Sequence, residues 1–425
     1  MNVLEILIEI NGTQIKVGEI RYHDISDAQF QYDPSYLAME NPRAISIGLP
    51  IREEPFSPQE TRCFFEGLLP EGFHRRSVAQ WMRVREEDYL SLLSGLGDEC
   101  LGALRVIQPE TQSEEASYVP MSSDQMLELA REGSVKSAEI LTRTHLSLAG
   151  ASGKTGLYYD EEIGQWYFPY GEAPSTHIVK QCHLRLDEIV MNEQLCQTTA
   201  GILGINVPDS FIVRLGEDNR DALFATKRYD RFVDPEGGEI SGKIRPLRLH
   251  QEDFAMAMGL SSSEKYETED QNFLRDSFRI LMQYSSDPIA DQTALWDLVI
   301  FDYLVGNTDN HLKNISLLYG KNLDSIRLAP AYDVISTAVY ESSTRDMAMA
   351  VAGRYSLDEI TRASFEEEAG RVGLGLKMAM DHFDALADNF EASLSDAANR
   401  LKEEGVSGTQ EMKEQILANG GYHNL

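Results

Sequence analysis

The chain has 425 residues, 69 of them acidic and 38 basic, for a formal net charge of −31. A surface of that sign repels phosphate backbones, which excludes sequence-independent nucleic-acid binding as the main activity; any DNA contact is expected through a basic partner protein. Apolar residues at 42% and charged ones at 25% exclude global disorder, and the length points to several folded units rather than one core.

Cys63, Cys100, Cys182 and Cys196 lie far apart with no CxxC pair, so buried reduced thiols are expected rather than a disulfide framework or a zinc site. The opening "MNVLEILIEI" alternates glutamate with apolar residues and lacks the basic and apolar regions of a leader. The most apolar later stretch, "ALWDLVIFDYLVG", is interrupted by Asp297 and Asp302, well short of the roughly 20 apolar residues that span a bilayer. A cytoplasmic protein without a membrane segment is expected.

In chain order, "VLEILIEINGTQIKVGEIRY" reads as two alternating strands joined by Asn11-Gly12, the pair favoured in a type I′ hairpin turn. "TRCFFEGLLPEGFHRRSVAQWM" has helical spacing on both sides of a Pro-Glu-Gly break, so residues 1–108 are expected to form a small α+β subdomain. Residues 109–139 are expected to be a Pro-, Ser- and Glu-rich linker and a short helix, "QMLELARE", capped by Ser122, Ser123 or Asp124. From 140 to 233 the pattern is strand-like, in "HLSLAG", "TGLYYD", "QWYFPYG", "THIVKQC", "SFIVRLG" and "ALFATKRYD", with one helix around "DEIVMNEQLCQTTAGILG". Helices dominate residues 234–425. The fold class expected is α+β: a β-rich lobe followed by a helical lobe, in the bilobal manner of protein kinases, preceded by the N-terminal subdomain.

Three stations along this chain carry the residue types of a phosphoryl-transfer site. In "LVGNTDNHLKNISLLY", Asp309 and Asn314 stand as D-x-x-x-x-N, the separation at which a kinase catalytic loop places its base and its metal-binding amide. His311 and Lys313 add donors there; a solvated turn of Asx side chains is the alternative for this spacing alone. Downstream, "IRLAPAYDVIST" sets Asp333 after a short strand, where a carboxylate suits Mg²⁺ or merely caps a turn.

The third station is "SLAGASGKTGLYY". Its Gly153-Lys154-Thr155 imitates a Walker A loop, yet Leu148 occupies the place of the first glycine and strands rather than a helix are expected after it. A hairpin tip lying over phosphates is therefore expected, with the backbone at Gly150 and Gly153 open to close approach. Lys180 on the next strand suits phosphate neutralisation, and Glu193 in the following helix suits an ion pair with it.

These residues resemble the HipA family of bacterial serine/threonine kinases, the toxin halves of toxin–antitoxin pairs. The similarity runs over nearly the whole chain, through "FFEGLLPEG", "SLAGASGKTGL", "KRYDR", "RLHQEDFAMAMG", "GNTDNHLKN" and "LAPAYDV". The resemblance implies ATP and Mg²⁺ as cofactors, with Asp309 as catalytic base, Asn314 and Asp333 as metal ligands, and His311 beside the γ-phosphate. It implies a nucleotide loop of Ala149, Gly150, Ala151, Ser152, Gly153 and Lys154, and Lys180 on the phosphates. Lys227, Arg228 and Tyr229 fall beside adenine, while Leu312, Lys313 and Tyr332 complete the nucleotide site.

Ser147 matches the family's autophosphorylated serine, and Ser152 offers a second hydroxyl in the same loop. The resemblance also implies a HipB-like helix-turn-helix antitoxin as partner and a cellular protein as substrate, phosphorylated to arrest growth. Neither HRD nor DFG is present, Asn307 and Tyr332 standing in their place, and Lys227 occupies a hinge position that is acidic in some members. Two other readings use the same residues: a small-molecule phosphotransferase, and a non-catalytic nucleotide-binding co-repressor scaffold.

Overall fold

Alternation in the sequence becomes a hairpin at the N-terminus. β1 (Asn2–Ile10) and β2 (Thr13–Tyr22) pair antiparallel with Leu4, Ile6 and Ile8 buried. Asn11 and Gly12 join them at φ 47° and 80°, the two successive positive values of a type I′ turn. β3 (Gln29–Tyr32) and β4 (Leu104–Ile107) complete a sheet in the order β3-β2-β1-β4. Around it lie α1 (Pro34–Leu37), α2 (Pro58–Gly67), α3 (Gly72–Met82) and α4 (Tyr89–Leu96). Ser57 and Glu60 close a capping box on α2 with Pro58 at its first position, and the Pro-Glu-Gly break falls between α2 and α3 as expected.

The computed structural model describes residues 1–109, 115–144, 148–149, 153–181, 186, 188–216, 221–234 and 237–425. Cys182, Ser147, Gly150, Ala151 and Ser152 lie outside the described residues. β5 (Ser117–Pro120) is followed by α5 (Ser123–Glu132), whose cap is Ser122 in a box with Gln125, and by α6 (Ser134–Thr144). Then come β6 (Lys154–Asp160), β7 (Gln165–Tyr170), β8 (His177–Gln181), β9 (Ser210–Arg214) and β10 (Ala222–Lys227). Five of these neighbour one another in the order β5-β7-β6-β8-β10.

Most of the glycine-rich loop and of the strand "HLSLAG" expected before it lies outside the described residues; the described element ahead of them is helix α6, where strand was expected from residue 140, and the one after them is strand β6. Ser137, Ala138 and Leu141 of α6 are wholly buried, a helical spacing that packs on α3, α4 and β6. That packing outweighs the local resemblance of the segment to a strand.

The chain divides into two compact units. One comprises Met1–His183, Val213–Ser263 and Leu317–Ser325; the other comprises Leu184–Ile212, Glu264–Ser316 and Ile326–Leu425. The first unit binds the N-terminal subdomain to the β-rich segment through buried charge. Glu99 and Asp230 face Arg228 and Arg231, with Arg228–Asp230 at 2.7 Å, Arg231–Glu99 at 3.0 Å, and no side chain of the four more than 3% exposed. Asp230 also accepts from the Gly102 backbone at 2.8 Å. Burial alone would raise the Glu99 carboxyl, but Arg231 and Arg228 outweigh it and hold it below the usual range. A second knot joins Glu9 of β1 to Arg245 and Arg248. Charges so buried are tolerable only because each is paired.

The second unit is mostly helical. It holds α7 (Ile189–Ile202); α8 (Phe254–Ala257) belongs to the first unit; then follow α9 (Phe273–Tyr284), α10 (Pro288–Val305), α11 (Arg362–Val372), α12 (Leu376–Glu403) and α13 (Thr409–Asn419). α10 is apolar on nearly every side and forms the core: its Trp296 is fully buried, donates Nε1–H to the Ala379 carbonyl at 2.9 Å, and meets Phe278 and Phe365 edge-on. Along α12, Ala379, Phe383, Leu386, Phe390, Leu394, Ala397 and Leu401 recur every three to four residues on the buried face. No helix among the described residues is long and apolar enough to cross a membrane.

Candidate active site

The polar cluster between Asn307 and Asn314 is held by the end of α10. Gly306 ends that helix at φ 74°, where a Cβ would meet the Ala338 Cβ at 2.7 Å, so both conformation and space require glycine. The chain then folds back on Asp302. Asn307 donates its backbone N–H to the Asp302 carbonyl at 2.8 Å and its Nδ2 to Asp302 Oδ1 at 2.9 Å. Asn310 Nδ2 takes the other carboxyl oxygen. Asp302 is wholly buried, and burial pushes its carboxyl up to about 8 against the opposing pull of the two amides.

Two of the asparagines are thereby explained as anchors of the loop. Thr308 fixes its next residue, donating N–H to Thr337 Oγ1 at 2.7 Å and its hydroxyl to the Thr344 carbonyl at 3.0 Å. Asp309 emerges exposed from this frame. His311 follows, buried, with its ring edge-on to Tyr266 at 5.1 Å. Leu312–Asn314 form a single 3-10 turn, with Leu312 and Lys313 buried.

Asn314 is oriented by its own loop: Nδ2 donates to the Asp309 carbonyl at 2.9 Å, which turns the amide oxygen to the other side. The segment carrying Asp333 is pinned to the same turn. The Tyr332 hydroxyl donates to the Lys313 carbonyl at 2.8 Å and lies 2.6 Å from Ser316 Oγ. Asp333 itself has φ 54°, a left-handed conformation that aspartate tolerates better than most residues. An amide oxygen and a carboxylate on segments pinned to each other are donors of the kind that would hold a Mg²⁺ ion. Among the described residues no group of three or more His, Cys, Asp or Glu side chains forms a self-contained metal cage.

Helix α7 is tied to the continuation of this segment, since Asn192 accepts from the Ser336 N–H at 3.0 Å and donates to the Ser336 carbonyl at 2.9 Å. Glu193, the next residue, is buried on the same helix.

In the first unit, Lys154 and Lys180 are directly opposite in the β6–β8 ladder and both are buried. Directly opposed side chains in an antiparallel pair share a face, so two ammonium groups occupy one patch, an arrangement that a polyanion relieves. The Lys180 ammonium also lies over the Phe224 ring, 5.6 Å from its centroid. Gly153 is buried beside them and Ala149 is half-buried. His74 of α3 lies near, its imidazole pushed down to about 4 by burial and by the Lys154 charge.

The residues assigned to the adenine side have other commitments. Lys227 pairs its ammonium with Glu161 at 2.9 Å on the surface. The Arg228 guanidinium belongs to the buried network with Glu99 and Asp230, while its backbone N–H donates to the Thr176 carbonyl at 2.9 Å and its carbonyl accepts from the Arg231 N–H at 3.3 Å. The Tyr229 hydroxyl donates to Gln251, which in turn donates to Asp230 at 3.0 Å.

Two residues of the site had little or no sequence signal. Asp302 shows only as a charge interrupting an apolar helix. Tyr266 lies 43 residues before Asp309 and donates its hydroxyl to Asp309 Oδ1 at 2.7 Å, a contact no spacing announces.

Comparison with known proteins supplies the family. Residues 8–107 match the model of the HipA N-terminal domain and residues 146–403 that of the HipA-like C-terminal domain. The chain is 32% identical over 397 residues to the putative kinase Y4mE of Sinorhizobium fredii, covering 91% of this chain and 90% of the relative. It is 24% identical over 426 residues to the serine/threonine-protein kinase toxin HipA of Shewanella oneidensis, covering 97% and 94%. The structure of the Shewanella oneidensis HipA, HipB and operator DNA complex contains a chain similar in fold to this one, with TM-score 0.81 and 23% identity over 98% of this chain and 96% of that one. The α+β organisation expected from the sequence is therefore that of HipA, and the chain belongs to the HipA family of kinases.

Proposed function

We propose that this chain is an ATP- and Mg²⁺-dependent protein serine/threonine kinase of the HipA toxin type, which phosphorylates a cellular protein and so arrests growth. The observation that carries the reading is the pinned turn of unit two: Asp309 exposed on a loop anchored to Asp302, Asn314 aimed by the Asp309 carbonyl, and Asp333 held to the turn through Tyr332. Asp309 accepts the proton of the acceptor hydroxyl. Asn314 and Asp333 supply the protein oxygens for Mg²⁺, which neutralises the phosphate charge when bound. Lys154 and Lys180, with the loop from Ala149 to Gly153, hold the phosphates. His311 lies beside the γ-phosphate. The backbone of Lys227 to Tyr229 borders adenine, and Leu312, Lys313 and Tyr332 complete the site.

Ser147 is the autophosphorylation site of this reading. A phosphoserine there adds a dianion that competes for the donors meant for ATP, so modification silences the enzyme. A small HipB-like helix-turn-helix antitoxin restrains it, and the relative whose structure includes HipB and operator DNA supports that partner. With a net charge of −31, DNA contact falls to the antitoxin. The test is to induce the chain in cells and to incubate the purified protein with γ-labelled ATP and Mg²⁺. Growth arrest with label in the chain and in a cellular protein supports the reading; binding of the antitoxin with no label at any Mg²⁺ concentration supports the co-repressor scaffold instead.

A further inference from the structure

Asp309 is exposed, yet the backbone on both sides of it is fixed. The Thr308 N–H donates to Thr337, and the Asp309 carbonyl accepts from Asn314 Nδ2 at 2.9 Å and from the His311 N–H at 2.8 Å. These bonds place the Cα of the residue and leave the torsions of its side chain undetermined. A base that must meet an acceptor hydroxyl needs those torsions fixed as well, because phosphoryl transfer of this kind draws its rate from positioning.

Tyr266 supplies that constraint from within the same unit. Its hydroxyl donates to Asp309 Oδ1 at 2.7 Å. The segment that carries it is itself tied down at both neighbouring residues. Before it, the Lys265 carbonyl accepts from the Leu312 N–H at 3.4 Å; after it, the Glu267 N–H donates to the Ala348 carbonyl at 3.1 Å. The Glu267 carboxylate accepts in turn from the Phe273 N–H at 2.7 Å and from the Tyr355 hydroxyl at 3.2 Å. The phenol ring stands edge-on to His311, with 5.1 Å between centroids, so one side chain meets two residues of the D-x-x-x-x-N turn. A hydroxyl on a rigid ring, carried by a pinned segment, holds a carboxylate in one plane.

We propose that Tyr266 is the positioning residue of the base: by holding Oδ1 it sets the plane of the Asp309 carboxylate and presents Oδ2 to the acceptor hydroxyl. The inference rests on Asp309 being the base. The acceptor oxygen bonds the γ-phosphorus of ATP, the bond from that phosphorus to the bridging oxygen breaks to release ADP, and the acceptor's proton passes to Oδ2. Tyr266 keeps its own proton on Oδ1 throughout. It acts through Asp309 and touches no reacting atom.

The experiment follows the rate at which the full chain labels itself from γ-labelled ATP with Mg²⁺, at saturating ATP and as a function of ATP concentration. Tyr266→Phe keeps the ring and removes the hydroxyl. It is expected to lower the rate at saturating ATP about tenfold, with the half-saturating ATP concentration and the melting temperature unchanged. A residue that only packs the surface would move the melting temperature instead. The double variant Asp309→Asn/Tyr266→Phe is expected to be no slower than Asp309→Asn, since a residue acting through the base has nothing left to position. A Tyr266→Phe chain as fast as the wild type or faster, or a further tenfold loss in the double variant, overturns the inference and leaves the kinase reading standing. A wild-type chain that transfers no label overturns both.

Discussion

Tyr332 and Lys313 are 19 residues apart, and the hydroxyl of the first donates to the carbonyl oxygen of the second at 2.8 Å. This bond, with Ser316 on the same hydroxyl, fixes the segment bearing Asp333 to the turn bearing Asn314. Tyr332→Phe removes two hydrogen bonds, a stability cost of about 1–3 kcal/mol, and leaves the fold intact. The Mg²⁺ concentration needed for half-maximal phosphorylation is expected to rise about tenfold, because the two ligand-bearing segments lose their link. A magnesium titration of the variant checks this.

Lys154 and Lys180 oppose each other on one face of the sheet. Lys180 also lies over the Phe224 ring, so Lys180→Met is expected to lower the melting temperature of the nucleotide-free protein modestly and leave it folded. The rise in melting temperature on adding ATP is expected to shrink sharply, since that rise measures nucleotide affinity. Calorimetry with and without ATP separates the two effects. A variant that is destabilised without ATP and keeps its full ATP shift would show the lysine to be structural.

Asp302 makes stability depend on pH. Its carboxyl has an ordinary value near 3.8 when unfolded and is pushed up to about 8 in the fold by burial. Between those values the native state keeps a proton that the unfolded chain has lost. Its stabilising contribution is therefore fully present below the unfolded value and is lost as pH rises through about 8. Comparing urea unfolding of the wild type and Asp302→Asn at about pH 5 and about pH 8, the wild type is expected to lose on the order of 1–3 kcal/mol relative to the variant.

Glu99 carries two arginines in a fully buried site. Glu99→Gln leaves Arg231 and Arg228 buried with less counter-charge and is expected to cost about 3–5 kcal/mol of stability. Because Glu99 belongs to the N-terminal subdomain and its partners to the β-rich segment, chemical denaturation is expected to show both melting together. A variant as stable as the wild type would mean the network contributes nothing net.

Some of this was legible in the sequence and some was not, for physical reasons. The Asn11-Gly12 turn and the Ser122 cap were readable because their conformations are set within a few residues. The D-x-x-x-x-N turn was readable because polar residues between apolar flanks need a local explanation. Helix α6 was missed because its buried stripe is defined by α3, α4 and β6 rather than by its own composition. Arg228, placed by resemblance beside adenine, has its side chain consumed by Glu99, 129 residues away, and no local pattern encodes such a pairing. Asp302 was visible as a charge in an apolar run, but its role appeared only when Asn307 and Asn310 turned back to it.

The central claim is that Asp309 takes the proton of the acceptor hydroxyl. The most direct measurement is phosphoryl transfer from γ-labelled ATP by wild type and Asp309→Asn at equal protein and Mg²⁺, with nucleotide binding followed in parallel by fluorescence. The account predicts that the variant binds ATP and loses transfer by a factor of about 10² to 10⁴, the usual contribution of a positioned base. Transfer at the wild-type rate by a variant that binds ATP normally would contradict it.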